Sequence, residues 1–152
     1  MFANPHSILI TDDDLSFRET LRTVFEQRGF RTLLAGDGEE ALDIVRRESV
    51  HLLLLDMHMP RLTGLETLRR VKQLNAVVPC ILLSANADQC LVEQAMLAQA
   101  FAVLSKPVTQ RTITATVAQA LERAYSWTSP PVERSTSTDV RSQLNRELFG
   151  DH

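Results

Sequence analysis

Residues 51–64 read HLLLLDMHMPRLTG, and this stretch decides how the rest of the chain is interpreted. Residues 51–55 form the most apolar segment, as expected of a strand that is buried on both faces of a parallel sheet. The segment stops at Asp56, and Pro60 then indicates a loop, because proline cannot donate a hydrogen bond within a central strand. Residues 63–66, TGLE, predict a capping box that opens a helix. The stretch therefore predicts a strand, a loop and a helix, with a carboxylate at the end of the strand.

The same alternation extends in both directions along the chain. Apolar runs predict four further strands, at residues 7–11, 31–35, 80–83 and 101–104. Periodicity and capping signals predict five helices: one that carries Phe17, Leu21, Val24 and Phe25 and ends at Gly29, and others at residues 38–48, from residue 64, at 88–98 and at 110–125. Residues 37–40, DGEE, repeat the capping-box pattern, with Glu40 expected to reach back to Asp37.

The order of these elements predicts the fold class and the extent of the domain. Because strands and helices alternate with short connections, the strands must be parallel and joined by right-handed crossovers. We therefore expect an α/β fold, a doubly wound five-stranded parallel sheet with helices on both faces, at residues 7–126. The Ser-, Thr- and Pro-rich sequence that follows predicts a flexible tail at residues 127–152. Apolar residues recur at every fourth position within it, so a short helix at residues 139–149 is an alternative there.

Composition and charge limit the classes of partner. The formal net charge of −3 provides no general attraction to nucleic acid or to anionic membranes, so neither is an expected partner. No apolar run approaches the roughly 20 residues of a membrane span, and the amino terminus lacks an export signal, so a cytoplasmic location is expected. Cys80 and Cys90 have no paired spacing and are expected to be free thiols.

Polar side chains follow four of the five predicted strands: Asp12 and Asp13, Asp56, Ser84, and Lys106. Because the carboxyl ends of parallel strands meet at one edge of a sheet, these groups are expected to share one crevice. Two unit charges about 4 Å apart repel by about 4 kcal/mol at an effective dielectric constant of about 20, so the carboxylates need a cation. Mg²⁺ suits their oxygen atoms, and Lys106 supplies a second positive charge. Asp56 is then left as a nucleophile that can form an acyl phosphate.

Taken singly, these residues also have structural explanations. Asp14 is expected to be the N-cap of the first helix rather than a metal ligand, and Asp12 alone could have the same role. The hydroxyl of Ser84 could bond to a neighbouring backbone group. The ring of His58 is not expected to bind the ion, because Mg²⁺ prefers oxygen.

The segments ILITDDD, LLLLDMHMPRLTG, LLSA and SKP, in this order and at these separations, resemble the receiver domain of two-component response regulators. The resemblance covers about residues 7–126 and implies the flavodoxin-like receiver topology. It implies that Asp56 accepts a phosphoryl group from a partner histidine kinase or histidine phosphotransfer protein, with small acyl phosphates as further donors. It also implies that Mg²⁺, or Mn²⁺ in its place, is bound by Asp12, Asp13, Asp56 and the backbone carbonyl of His58.

The same resemblance assigns roles to the remaining polar groups of the crevice. Ser84, with Ala85 beside it, is the switch residue whose hydroxyl follows the phosphoryl group inward. Lys106 pairs with the phosphoryl oxygens. Pro107 is expected to be preceded by a cis peptide bond, which aims Lys106 into the crevice.

One position departs from the family pattern. Many receivers carry an aromatic switch residue three positions before the lysine, whereas this chain has Val103, whose side chain is stiff and has no ring. Phe101 is expected on the same face of the strand and is a candidate substitute. We hypothesise a weaker or rewired switch on the face formed by the fourth helix, fifth strand and fifth helix. That face is also the expected surface of a phosphorylation-dependent homodimer.

The expected function is a signalling module that gains and loses its own phosphoryl group, rather than a turnover enzyme, and that binds a downstream protein. A degenerate receiver that serves only for constitutive protein contacts is one alternative, and Val103 is its main support. A magnesium-dependent phosphohydrolase with Asp56 as nucleophile is another. Such enzymes commonly place a second aspartate two residues after the nucleophile, where this chain has His58.

Overall fold

The computed structural model describes residues 6–125, so the predicted tail at 127–152 and its helix at 139–149 lie outside the described residues. Five strands are present: β1 (Ser7–Thr11), β2 (Arg31–Ala35), β3 (Leu52–Asp56), β4 (Cys80–Ser84) and β5 (Ala102–Ser105). Five helices alternate with them: α1 (Leu15–Gln27), α2 (Gly38–Arg47), α3 (Gly64–Leu74), α4 (Gln89–Leu97) and α5 (Gln110–Tyr125).

The strands form one parallel sheet in the order β2-β1-β3-β4-β5, which confirms the predicted doubly wound fold. Side chains alternate between the faces of each strand, so each central strand supplies two separate core clusters. Leu53 and Leu55 pack with the cluster formed by α2, α3 and α4. Leu52 and Leu54 pack with the cluster formed by α1 and α5. The sheet is therefore buried on both faces.

Strands β3, β4 and β5 each end one residue later than the apolar runs predicted, and β3 and β5 also begin one residue later. The difference arises because hydrophobicity stops at the polar residue, whereas backbone pairing continues through it. Asp56 pairs with Leu83 across β3 and β4, and Ser84 pairs with Ser105 across β4 and β5. The backbone of Asp56 and Ser84 is thus held by the sheet, which limits its freedom to move.

Two of the predicted helix caps are confirmed, and a third is wrong in part. The Asp14 side chain caps α1, and α3 begins with a reciprocal capping box between Thr63 and Glu66. At α2, Asp37 accepts a hydrogen bond from the Glu40 amide at 2.8 Å, as predicted. The Glu40 carboxylate, however, accepts from the amide of Gly36 at 2.7 Å, one residue before the predicted partner. The backbone of Asp37 is extended (φ −157°), so the chain enters α2 in a straight segment. The amide that the Glu40 carboxylate reaches in that segment belongs to Gly36, which precedes Asp37.

Within residues 6–125, no helix combines the length and the apolar content that a membrane crossing requires. Both cysteines are free, as predicted. Cys80 is buried in β4, and burial raises the pKa of its thiol to about 12, so it stays protonated and unreactive at neutral pH.

Candidate functional site

Three carboxylates meet at the carboxyl edge of the sheet. Thr11 and Leu55 are partners in the pairing of β1 with β3, so the residues that follow them, Asp12 and Asp56, lie at adjacent strand ends. With Asp13, they place one carboxylate oxygen each within 4.8 Å of one another. Asp12 and Asp56 are buried, whereas Asp13 is exposed. Three convergent carboxylates that include a solvent-accessible member form an acidic pocket compatible with Mg²⁺, which takes hard oxygen ligands and retains water.

Lys106 joins this acidic pocket from the loop after β5. Its ammonium donates hydrogen bonds to Asp12 Oδ2 and to Asp56 Oδ1, each at 3.1 Å. Its backbone amide donates to the Ser84 carbonyl at 2.9 Å, which continues the β4–β5 pairing, and the Lys106–Pro107 peptide bond is cis. The Lys106 side chain is 24% exposed, against 2% and 6% for its two partners. Of these three side chains, that of the lysine is the one that reaches solvent to an appreciable extent.

Burial and charge alter the protonation of the pocket. Burial raises the pKa of Asp56, and the neighbouring charge of Asp12 raises it further, while Lys106 and the backbone amide of His58 oppose the shift through hydrogen bonds. Burial alone would lower the pKa of Lys106, but its contacts with Asp12 and Asp56 outweigh that effect and raise it. The pKa of Lys106 rises because one ammonium faces two carboxylates, whereas that of Asp56 rises because of burial and the charge of Asp12, in spite of Lys106. The pocket therefore favours any additional positive charge.

Ser84 is the last residue of β4, beside the end of β3, and is fully buried. Its hydroxyl accepts a hydrogen bond from the Asn86 amide at 3.0 Å and lies 3.4 Å from His58 Nε2. Ala85 follows it and is exposed. Ser84 thus has both features considered from the sequence. Its hydroxyl makes a hydrogen bond to a neighbouring backbone amide, and it lies at the same edge of the sheet as Asp56.

Gly64 brings the first turn of α3 against the backbone of the pocket. Its amide donates to the Met57 carbonyl at 2.9 Å. A methyl group at this position would collide with the carbonyl oxygen of Asp56 and with Leu82. Glycine is therefore required here by close approach, and the capping box at Thr63 fixes where the helix begins.

The sequence profile of the response regulator receiver domain matches residues 8–118 of this chain. The chain belongs to that family. Receiver domains act in phosphotransfer within two-component signalling and interact with histidine kinases or phosphotransfer proteins.

Two curated relatives and one solved structure place this receiver among known proteins. It is 35% identical over 100 residues to sporulation initiation phosphotransferase F of Bacillus subtilis, covering 66% of this chain and 81% of the relative. It is 33% identical over 120 residues to the transcriptional regulatory protein CpxR of Escherichia coli, covering 79% of this chain but only 51% of CpxR. A CheY-like receiver domain from Methanospirillum hungatei superimposes with a TM-score of 0.78 at 24% identity, covering 81% of this chain and 98% of that one. That structural match shows the fold.

The expectation that Phe101 and Val103 lie on the same face is wrong, because the two side chains pack on opposite faces of the sheet. Val103 contacts the core cluster of α2, α3 and α4. Phe101 precedes the first residue of β5, so strand alternation does not apply to it, and its ring packs with the α1–α5 cluster. The Arg123 guanidinium lies 5.6 Å from the centre of that ring. The ring of Phe101 therefore lies on the opposite side of the sheet from Val103.

Two residues of α1 contact the pocket, and sequence reasoning did not identify either contact. The Lys106 ammonium lies 4.5 Å from the centre of the Phe17 ring. Arg18 donates to the backbone carbonyl of Asp12 at 3.1 Å. Phe17 belongs to the apolar stripe of its helix, which predicts only a core position, and no spacing in the sequence connects it to a lysine 89 positions later in the chain.

Proposed function

We propose that this receiver accepts a phosphoryl group on Asp56 from a histidine kinase or a histidine phosphotransfer protein in a Mg²⁺-dependent reaction. The observation that carries the proposal is the position of the Asp56 carboxylate. This carboxylate is buried and accepts a hydrogen bond from Lys106 Nζ at 3.1 Å. One of its oxygens lies within 4.8 Å of carboxylate oxygens of Asp12 and Asp13. A carboxylate whose pKa is raised is also a more basic, and hence stronger, nucleophile.

The chemistry of the transfer step follows from a phosphohistidine as donor and the Asp56 carboxylate as acceptor. A carboxylate oxygen of Asp56 attacks phosphorus, and the new O–P bond forms as the N–P bond of the phosphohistidine breaks. The electron pair of the broken bond stays on the imidazole nitrogen of the donor, which takes up a proton. Lys106 is positioned to neutralise phosphoryl oxygens. The Ser84 hydroxyl, with the chain at Ala85, is our proposed partner for another of those oxygens.

The carboxylates of Asp12, Asp13 and Asp56 and the backbone carbonyl of His58 are the residues that would hold Mg²⁺, or Mn²⁺ in its place. When bound, the ion supplies positive charge that offsets the charge of the transferring phosphoryl group. Asp12 also accepts a hydrogen bond from the Asp14 amide at 2.8 Å, so its side chain is already oriented before any ion binds. This orientation lowers the cost of assembling the site.

The proposed output is a change in binding to a downstream protein or to a second copy of the chain, through α4, β5 and α5. Met96 and Leu97 on α4 are 50% and 86% exposed, which leaves apolar side chains available for such a contact. The named activity of the Bacillus subtilis relative supports onward phosphoryl transfer as another output. We place the protein in the cytoplasm and regard it as a signalling module rather than a turnover enzyme.

Intact mass after incubation with acetyl phosphate and Mg²⁺ tests this function. We expect one phosphoryl adduct on the wild type, none on Asp56→Asn, and none when the metal is chelated. Asp43→Asn is the matched control, because Asp43 is an exposed aspartate on α2 that pairs with Arg46. Its adduct should match that of the wild type.

Other results would favour the other functions. An adduct on Asp56→Asn equal to that on the wild type would overturn the assignment of Asp56. Absence of both adduct and metal binding would favour a degenerate receiver that makes constitutive contacts. Repeated turnover of phosphate esters that requires Asp56 would favour the phosphohydrolase.

A further inference from the structure

Phe17 is the third residue of α1 and contacts the ammonium group of the pocket. Its ring centre lies 4.5 Å from Lys106 Nζ, within the roughly 6 Å over which a ring face attracts a cation. The ring is partly buried and packs on the α1–α5 core cluster, so the helix and the core hold it in place. Lys106 therefore has a third neighbour besides its two carboxylates.

The three contacts of Lys106 differ in how they respond to movement. The hydrogen bonds to Asp12 and Asp56 are directional and weaken steeply when their angles change. Attraction to a ring face tolerates movement of the cation across that face, because it comes from the quadrupole of the whole ring. The ring of Phe17 can thus retain the ammonium while one carboxylate partner is exchanged for a phosphoryl oxygen.

The first turns of α1 are joined to the pocket at further points. Asp14 caps the helix and donates its amide to the Asp12 carboxylate at 2.8 Å. Arg18 donates to the Asp12 carbonyl at 3.1 Å. A shift of the ammonium would therefore act on a helix that is already attached to the same site.

We propose that Phe17 is a positioning residue for Lys106, and that through this contact α1 responds when Lys106 binds the phosphoryl group. This proposal rests on the proposed function of Asp56. The proposal gives α1 the role of reporting phosphorylation through an aromatic ring. In this chain β5 offers no such ring at position 103, which is Val103, and the ring of Phe101 packs near Arg123.

The test compares Phe17→Leu, which removes the ring but keeps an apolar side chain, with Phe17→Tyr, which keeps the ring. Phe101→Leu is the matched control, because it makes the same chemical change at a cation–ring pair outside the pocket. Thermal unfolding of all three variants checks that each one folds.

The first readout is the proton NMR spectrum of the Lys106 side chain in metal-free protein. A ring face above the ammonium moves the neighbouring ε-methylene resonance upfield. We expect this shift in the wild type, Phe17→Tyr and Phe101→Leu, and its loss in Phe17→Leu. The same resonance position in Phe17→Leu as in the wild type would overturn the contact, whatever the outcome of phosphorylation.

The second readout is the response to Mg²⁺ and beryllofluoride, a phosphoryl mimic. Amide resonances of residues 15–27 should move in the wild type and Phe17→Tyr, and move less in Phe17→Leu. The rate of adduct formation with acetyl phosphate should fall about 2- to 5-fold in Phe17→Leu, as expected for a cation–ring contact of modest strength. If the amide resonances of α1 moved equally in Phe17→Leu and Phe17→Tyr, the role of Phe17 in the response of α1 would be overturned. A wild type that forms no adduct would overturn the function of Asp56 and the α1 response with it, while the metal-free spectrum would still decide the contact.

Discussion

The two ends of strands β1 and β3 lie in opposite chemical environments. At the amino ends, the rings of His6, His51 and Tyr125 pack against one another, with centroid distances of 4.8 Å between the histidines and 5.5 Å from each to the tyrosine. His51 Nδ1 accepts a hydrogen bond from the Ser7 amide at 3.0 Å. The Tyr125 hydroxyl donates to the His51 carbonyl at 2.8 Å. The three rings carry no charge when the imidazoles are neutral, and they join β1, β3 and α5.

At the carboxyl ends, the same two strands lead into Asp12 and Asp56, with one ammonium for two buried carboxylates. The raised pKa of Asp56, caused by burial and by Asp12, shows that its charged form is held at a cost. The comparison teaches that stability and chemistry are separated along the strands. The amino edge joins β1, β3 and α5 through ring contacts and hydrogen bonds, whereas the carboxyl edge holds a buried carboxylate that we propose is the reactive group.

Among the variants that test the difference between the two edges, Lys106→Met is expected to have the largest effect on the free energy of unfolding. The change leaves Asp12 and Asp56 buried without their cation, which should lower the free energy of unfolding by about 2 kcal/mol in metal-free urea titrations. Adding Mg²⁺ should restore part of the loss. Lys72→Met is the control, because Lys72 bonds only to the carbonyls of Ala76 and Val78 among the contacts described, so its effect should not depend on Mg²⁺. A Lys106→Met loss that Mg²⁺ leaves unchanged would contradict the prediction.

A smaller effect is expected at the amino edge from Tyr125→Phe. This variant removes the hydroxyl that donates to the His51 carbonyl but keeps the ring, so it should cost about 1 kcal/mol in the same titrations. Adduct formation with acetyl phosphate should be unaffected, since Asp56, the proposed phosphoacceptor, lies at the other end of β3. A large loss of adduct in the folded variant would show that the two edges are coupled.

Much of this architecture could be predicted from the sequence, because hydrophobic periodicity reports which face of an element is buried. The apolar runs predicted all five strands, and the polar residue after each of four runs predicted which side chains gather at one edge. Asp12, Asp56 and Lys106 do meet there. The rule works because parallel pairing leaves little freedom in where a strand end can lie.

The contacts that sequence reasoning missed join side chains from distant elements. Phe17 occurs in an apolar helix pattern, which predicts burial but not the partner of its ring, and Tyr125 was predicted only as the end of the last helix. His51 gave no signal beyond a strand start, although it accepts the Ser7 amide. Phe101 was assigned to the wrong face because alternation was extended one residue beyond the strand. Periodicity specifies a face, whereas the partner on that face depends on three-dimensional packing.

The smallest predicted effect concerns pH, and it has opposite signs at the two edges. Burial lowers the pKa of His51 from 6.5, and burial with the nearby His51 lowers that of His6, so their contribution is complete above pH 6.5 and is lost as pH falls through the lowered values. The pKa of Asp56 is raised from 3.8, so its contribution is present below pH 3.8 and is lost as pH rises through the raised value.

Unfolding titrations between pH 7.5 and pH 5 of wild type and His51→Asn can separate these contributions. The wild type should lose stability on acidification, and His51→Asn should lose less because one titrating imidazole is gone. Asp56→Asn should lose slightly more than the wild type, since it lacks the opposing carboxylate. Identical slopes for all three proteins would contradict the assignment of pH dependence to the two edges.

The most direct test of the central claim compares the free energy of unfolding of wild type and Asp56→Asn, in chelator and in saturating Mg²⁺. A crowded carboxyl edge predicts that, without metal, Asp56→Asn is the more stable protein by about 1 kcal/mol. Mg²⁺ should stabilise the wild type more than the variant, because binding to the folded state adds stability that grows with the logarithm of affinity, and the difference should shrink or reverse. A variant that is less stable than the wild type in chelator, and that gains as much from Mg²⁺, would contradict the account.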